Sequence, residues 1–139
     1  MRRYLLDTNI LSALIKRPHS VLAQKIGQLP RDAFCTSVIV ACELRYGIEK
    51  KGSVSLAAKV ELLLNEIDIL PLEYEAVSQH YAALRVSLER QGQVIGANDM
   101  LIAAHALSLE AILVTDNVRE FARIPDLRFE NWLAETDVS

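Results

Sequence analysis

Apolar positions along this 139-residue chain come as short continuous runs separated by longer stretches at helical spacing, and that alternation orders the elements. Arg3 to Leu6 is a short apolar strand ending at Asp7, and Thr8 is placed to cap a helix whose inner face is Ile10, Leu11, Leu14 and Ile15. Pro18 stops that helix. A second helix covers Val21 to Leu29, after which Pro30 and Asp32 turn the chain into a strand over Ala33 to Thr36. Ser37 caps a third helix containing Val38, Val40, Glu43, Leu44 and Tyr46; Gly47 lies in its later turns and Gly52 ends it. Val54 to Ile67 is helical by pattern, Ile67 to Leu70 is a strand closed by Pro71, and an amphipathic helix with Val77, Tyr81, Leu84 and Leu88 on one face spans Glu73 to Arg90. Beyond Gly92 and a loop with Gly96, a helix opens at Asp99 and runs to Leu107. Ile112 to Val114 is a buried strand, Asn117 to Phe121 a turn of helix, and Leu127 to Phe129 an edge strand.

Short strands alternating with helices predict an α/β fold of three layers, a parallel sheet covered by helices on both faces. Ligands of such sheets bind beyond the carboxyl ends of the strands. The residues found there are all polar: Asp7-Thr8-Asn9, Thr36-Ser37 and Thr115-Asp116-Asn117. Length allows one compact domain, expected over residues 1–133 with a tail at 134–139, and no internal repeat divides it. Only five glycines and four prolines interrupt a chain that is 51% hydrophobic, so disorder is expected only at the ends. Cys35 and Cys42 lack metal-ligand spacing and read as buried thiols in a reducing cytoplasm. No run reaches the length of a membrane span, and the apolar start is cut short by Asp7. The net charge of −3 does not advertise a nucleic-acid partner, although a metal-dependent nuclease must itself carry several carboxylates.

Four acids fall on the same side of a parallel sheet: Asp7 after the first strand, Glu43 about two turns into the helix after the second, Asp99 at the start of the helix before the fourth strand, and Asp116 after that strand. Singly, Asp7 and Asp99 are ordinary capping or first-turn acids and Asp116 is good turn chemistry. Glu43 is harder to dismiss, because the run Val38 to Cys42 before it is apolar. Together the acids would repel one another without a cation, and oxygen-only donors suit Mg²⁺ or Mn²⁺.

Four ordered motifs carry a resemblance to a known family. They are Tyr4-Leu5-Leu6-Asp7-Thr8-Asn9; Thr36-Ser37-Val38 through Glu43-Leu44-Arg45-Tyr46-Gly47; Gly96-Ala97-Asn98-Asp99 through His105-Ala106; and Leu113-Val114-Thr115-Asp116-Asn117 through Phe121. The chain resembles the PIN-domain nucleases, and more narrowly the VapC toxins of bacterial toxin–antitoxin pairs. The resemblance implies a central parallel sheet of about five strands and Asp7, Glu43 and Asp99 binding one or two divalent ions. Asp7 and Asp99 are then the main metal ligands, Glu43 holds a second ion or the attacking water, and Thr8 and Thr115 orient the ligands. The family's fourth acid stands two residues after the threonine, where this chain has Asn117, so Asp116 and Asn117 both remain open for that place.

It also implies an endoribonuclease acting on a structured RNA such as a transfer RNA, a cognate antitoxin, and a homodimer. Arg45, Lys50 and Arg119 are candidate phosphate contacts, with Lys51, Arg85, Arg90 and Arg123 behind them. Gly47, one turn beyond Glu43, either leaves room for a sugar–phosphate backbone or serves close helix packing. His105 reads as a packed histidine, not a base. Two other classes compete: a non-catalytic RNA- or protein-binding module on the same scaffold, and a phosphohydrolase using Asp7 as nucleophile. The second requires another aspartate two residues on, where this chain has Asn9.

Overall fold

The computed structural model describes residues 3–133, and the tail expected at 134–139 lies outside them. Its elements are β1 (Tyr4–Leu6), α1 (Thr8–Lys16), α2 (Val21–Gly27), a 3₁₀ turn (Arg31–Ala33), β2 (Phe34–Ser37), α3 (Val38–Lys51), α4 (Val54–Asn65), β3 (Asp68–Leu70), α5 (Tyr74–Gln91), α6 (Ala97–Leu109), β4 (Ile112–Val114), α7 (Val118–Phe121) and β5 (Phe129–Glu130). The strands form one sheet in the order β3-β2-β1-β4-β5, every pair parallel. β1 is central: Leu5 and Leu6 are fully buried, as are Leu113 and Val114, to which they are paired. Strands this short persist because both faces are covered by helices, the usual condition of an all-parallel sheet. The order reverses between β1 and β4, since the chain leaves β1 toward β2 and β3 and then returns to β1's other side.

Two helices end where expected for a specific backbone reason. Gly52 and Gly92 take the left-handed conformation (φ 64° and 67°) that closes α3 and α5, a conformation costly for residues with a side chain. Among the residues at the far end of β1, Tyr4 meets the buried Trp132 edge-on with ring centroids 4.9 Å apart, and Lys25 of α2 sits 4.6 Å from the same indole.

Three expectations are corrected. Asp7, not Thr8, caps α1: its carboxylate accepts the Thr8 backbone N–H (2.8 Å), which frees the Thr8 hydroxyl for another partner. The last strand is Phe129–Glu130 instead of Leu127 to Phe129, because Asp126, after Pro125, is left-handed (φ 66°) and the chain must turn before it can pair with β4. Of the two cysteines, Cys35 is buried in β2 but Cys42 is exposed on the outer face of α3.

His105 is buried in α6 with its Nδ1 2.8 Å from the Ser37 hydroxyl at the end of β2. That hydroxyl also accepts the Ile39 N–H as the cap of α3 (3.1 Å), which leaves its own proton available to Nδ1. Nε2 faces the backbone of Pro71 without a full hydrogen bond. Burial, the larger influence, holds the imidazole below its ordinary 6.5, against the Pro71 carbonyl, which favours the proton. The unfolded chain therefore binds the proton more readily, so this contribution is complete above pH 6.5 and fades as pH falls below it. His105→Ala should cost about 2–4 kcal/mol by emptying a packed site and orphaning Ser37, and urea unfolding should show less loss of stability between pH 6.5 and 5 than in wild type.

Candidate active site

The site forms where the strand order reverses, at the carboxyl ends of β1 and β4, the place where open α/β sheets bind ligands. Asp7 is its fixed point. Its backbone N–H donates to the Val114 carbonyl (2.9 Å), and the Thr115 hydroxyl donates to Asp7 Oδ2 (2.7 Å). Asn9 clamps the two strand ends together: its amide Nδ2 lies 3.3 Å from both Asp7 Oδ2 and the Thr115 hydroxyl, and its Oδ1 accepts the Asp116 N–H (3.1 Å). Asp7 is 3% exposed, and burial pushes its carboxyl upward. The Thr115 hydroxyl, the Thr8 N–H and Asn9 pull it back down, while Glu43 adds to the rise.

Glu43 reaches this centre from the second turn of α3, and the freed Thr8 hydroxyl donates to its carboxylate. Asp99 is the third residue of α6, which begins at Ala97 with Gly96 as its cap, two residues earlier than the sequence pattern suggests. Its carboxyl is pushed up to about 7, first by burial, then by a hydrogen bond shared with Glu120, then by the charges of Asp7, Glu120 and Glu43. A hydrogen bond between two carboxyls requires a proton on one of them. The shift therefore reports burial first, and after it acids close enough to share a proton and repel one another.

Glu120 is the residue that sequence reading missed. It sits in the single turn of α7, where Asn117 donates to its Oε2 (2.9 Å) and aims it inward at Asp99. The available signal was its position beside Val118 and Phe121, the same mixture of acid and apolar neighbours that drew attention to Glu43. Asp116, proposed for this place, is exposed on the turn, and Asn117 serves as the positioning amide of Glu120. Thr115 holds the turn in that direction, since its hydroxyl also accepts the Asn117 N–H (3.0 Å).

The phosphate candidates separate clearly. Arg45 forms a two-pronged ion pair with Glu61 of α4 and is engaged along that seam. Lys50 lies over the exposed Tyr46 ring, 5.9 Å from its centroid, and Arg119 is exposed on α7 beside Glu120. Arg85 is tied to Tyr81 and Glu89 within α5.

The four carboxyls offer oxygen donors without thiolate or imidazole, which fits a hard divalent cation in ligand type. Among the described residues no three His, Cys, Asp or Glu side chains already stand as a metal cage. Thr8, Thr115 and Asn117 hold the carboxyls of Glu43, Asp7 and Glu120 by separate hydrogen bonds.

A model of the PIN domain matches residues 4–127. The chain belongs to the PIN-domain family. Within it the chain falls among the VapC ribonucleases. It is 39% identical over 131 residues to ribonuclease VapC1 of Haemophilus influenzae (strain R2866), covering 93% of this chain and 97% of that protein. With the tRNA(fMet)-specific endonuclease VapC of Shigella flexneri it shares 36% identity over 133 residues, 95% of this chain and 99% of the other. Among solved structures, DNA-bound VapBC from Salmonella typhimurium superposes with a TM-score of 0.86 at 34% identity, over 95% of this chain and 99% of that one. VapBC2 of Rickettsia felis, bound to a fragment of its promoter, gives 0.84 at 36% identity, over 93% and 98%. The five-stranded parallel sheet flanked by helices is the architecture of this PIN domain and of these neighbours alike.

Proposed function

We propose that this PIN domain is a Mg²⁺- or Mn²⁺-dependent endoribonuclease that cuts structured RNA, with transfer RNA the first substrate to test. The observation that carries the reading is the meeting of Asp7, Glu43, Asp99 and Glu120 at the reversal of strand order, with Asp99 raised to about 7. Evolution has little structural reason to gather one buried and three half-buried acids that destabilise one another; a divalent cation supplies one. Asp7 and Asp99 would hold it, with Glu120 completing the donor set. When bound, such an ion lowers the pKa of a coordinated water and neutralises charge building on the phosphodiester.

The chain's own groups do the rest. Thr115, Asn9 and the Thr8 N–H keep Asp7 in one rotamer. Asn117 keeps Glu120 turned inward, and Thr8 holds the longer Glu43 side chain where it can orient the attacking water. In-line attack of water on the phosphorus, with the P–O3′ bond breaking and the 3′ oxygen leaving with a proton, would give a 5′-phosphate and a 3′-hydroxyl.

We further infer that the chain is the toxin of a VapBC-like pair, neutralised by a cognate antitoxin, and works as a homodimer in the cytoplasm. In support, the relative from Shigella flexneri is a tRNA(fMet)-specific endonuclease and several structural neighbours are VapBC assemblies. No helix among the described residues is long and apolar enough to cross a membrane. The test is incubation of purified protein with bulk transfer RNA and total RNA, with Mg²⁺ or with chelator. Discrete fragments should appear with the metal and vanish in chelator. Full cleavage in excess chelator would defeat the metal mechanism, and binding without cleavage in Mg²⁺ would favour the non-catalytic module.

A further inference from the structure

Two helical rows leave the acidic centre side by side. On α1 the row is Thr8, Ser12, Lys16, and on α3 it is Glu43, Gly47, Lys51, each spaced at i, i+4 and i+8 so that its members share a face. Each row starts with a group of the active site, passes through a small residue and ends in a lysine. The Thr8–Glu43 hydrogen bond joins them at the start. Between the rows lies a cavity of about 210 Å³, floored by Leu44, Leu56 and Val60.

Gly47 is the informative residue. A glycine inside a helix costs backbone entropy, and its ordinary justifications are a positive φ or a neighbour packed too close for a Cβ. Among the glycines, positive φ occurs at Gly52 and Gly92, not at Gly47. A Cβ built at Gly47 would meet nothing within 4 Å. Close helix packing is therefore excluded as its reason, and the missing side chain leaves open space above the cavity.

Resting on the ribonuclease reading, we propose that this cavity is a nucleotide subsite. It takes the base of one nucleotide next to the scissile phosphate, Gly47 keeps its mouth open, and Lys16 and Lys51 pair with the phosphate on that nucleotide's far side. Three observations select this occupant. The cavity is smaller than the roughly 300–1,000 Å³ of drug-sized ligand sites, and suits one base. Its floor is apolar, as the face of a base requires. It runs from the carboxylates, where the cut phosphate must lie, to two cations eight residues along, so a polyanion has only one favourable direction through it.

The experiment compares wild type with Gly47→Ala, Gly47→Leu and Lys51→Ala on bulk transfer RNA, reading KM, kcat, the sequence at the cut ends and the melting temperature. Gly47→Leu should melt at or above wild type, because leucine favours helix, a Cβ at this position meets nothing within 4 Å and the rest of the side chain has the cavity to enter. It should raise KM about tenfold or more, the scale of losing one base contact, and alter the nucleotide preference on one side of the cut. Gly47→Ala should act in the same direction but less, and Lys51→Ala should flatten the dependence of log affinity on log salt by about one unit. The same substitutions are made in an Asp99→Asn background, where filter binding measures RNA affinity without cleavage.

Unchanged KM and cut-site sequence in a normally melting Gly47→Leu would overturn the subsite and leave the ribonuclease reading intact. Weakened RNA binding by Gly47→Leu in a protein whose wild type cuts no RNA would keep the subsite and overturn the nuclease. Neither binding nor cleavage by wild type would overturn both. Normal cleavage combined with lost inhibition by an antitoxin would assign the cavity to a protein side chain and overturn the RNA subsite.

Discussion

Asp99→Asn should abolish RNA cleavage and yet, in chelator, melt at the same temperature as wild type or higher. Two effects compete at this residue. As the third residue of α6 it sits where the helix dipole favours a negative charge by about 0.3–1 kcal/mol. Burial, the hydrogen bond shared with Glu120 and the charges of Asp7, Glu120 and Glu43 oppose that charge, and its carboxyl is pushed up to about 7 from 3.8, so together they outweigh the dipole. An asparagine removes the repelling charge at nearly constant shape. Saturation with Mg²⁺ should reverse the order: at a hundredfold excess over Kd wild type gains about 2.7 kcal/mol, and the variant much less.

The pH dependence has a definite sign. With its folded pKa above the unfolded one, Asp99 holds in the native state a proton that the unfolded chain has released. In chelator, stability should therefore rise as pH is lowered from 8 toward 6.5, a rise that Asp99→Asn should lack. Below 6.5 the loss from His105 runs the other way, so the two groups are best separated above that value. A melting temperature that falls by the amount expected of a simple first-turn acid, with activity and Mg²⁺ response retained, would sink the proposed site.

Glu120→Gln should lower cleavage by roughly a hundredfold or more, the cost of losing a direct partner of the proposed ion, whereas Asp116→Ala should leave it within a few-fold. Asn117→Ala should fall between them, losing about 10–100-fold, because it removes the amide that aims Glu120 without removing a carboxylate. Raising Mg²⁺ should restore part of the activity of Asn117→Ala and little of that of Glu120→Gln. If Asp116→Ala silenced the enzyme while Glu120→Gln did not, the turn after β4 would have to rearrange in the working state so that Asp116 faces inward.

Much of this could be read along the chain because it depends on local rules. Strand ends followed by polar residues, caps such as Ser37, and the glycines closing α3 and α5 are set by backbone preferences that act within a few residues. The placement of Asp7, Glu43 and Asp99 follows as soon as the strands are parallel, since every strand then delivers its carboxyl end to one edge. The direction of a side chain on a turn is different, because it depends on bonds made by distant residues. Asp116 faces solvent because Asn9, over a hundred positions away, holds its N–H, while Thr115 holds the N–H of Asn117. Glu120 is brought in by the same turn, held by Asn117 three residues before it, and its apolar neighbours Val118 and Phe121 hint at burial without giving that direction. The grip of Thr115 on Asp7 depends on β4 lying beside β1, and the meeting of Thr8 with Glu43 depends on α1 packing against α3. The emptiness above Gly47 is likewise a relation between α1, α3 and α4, and spacing along α3 alone left packing and access equally open.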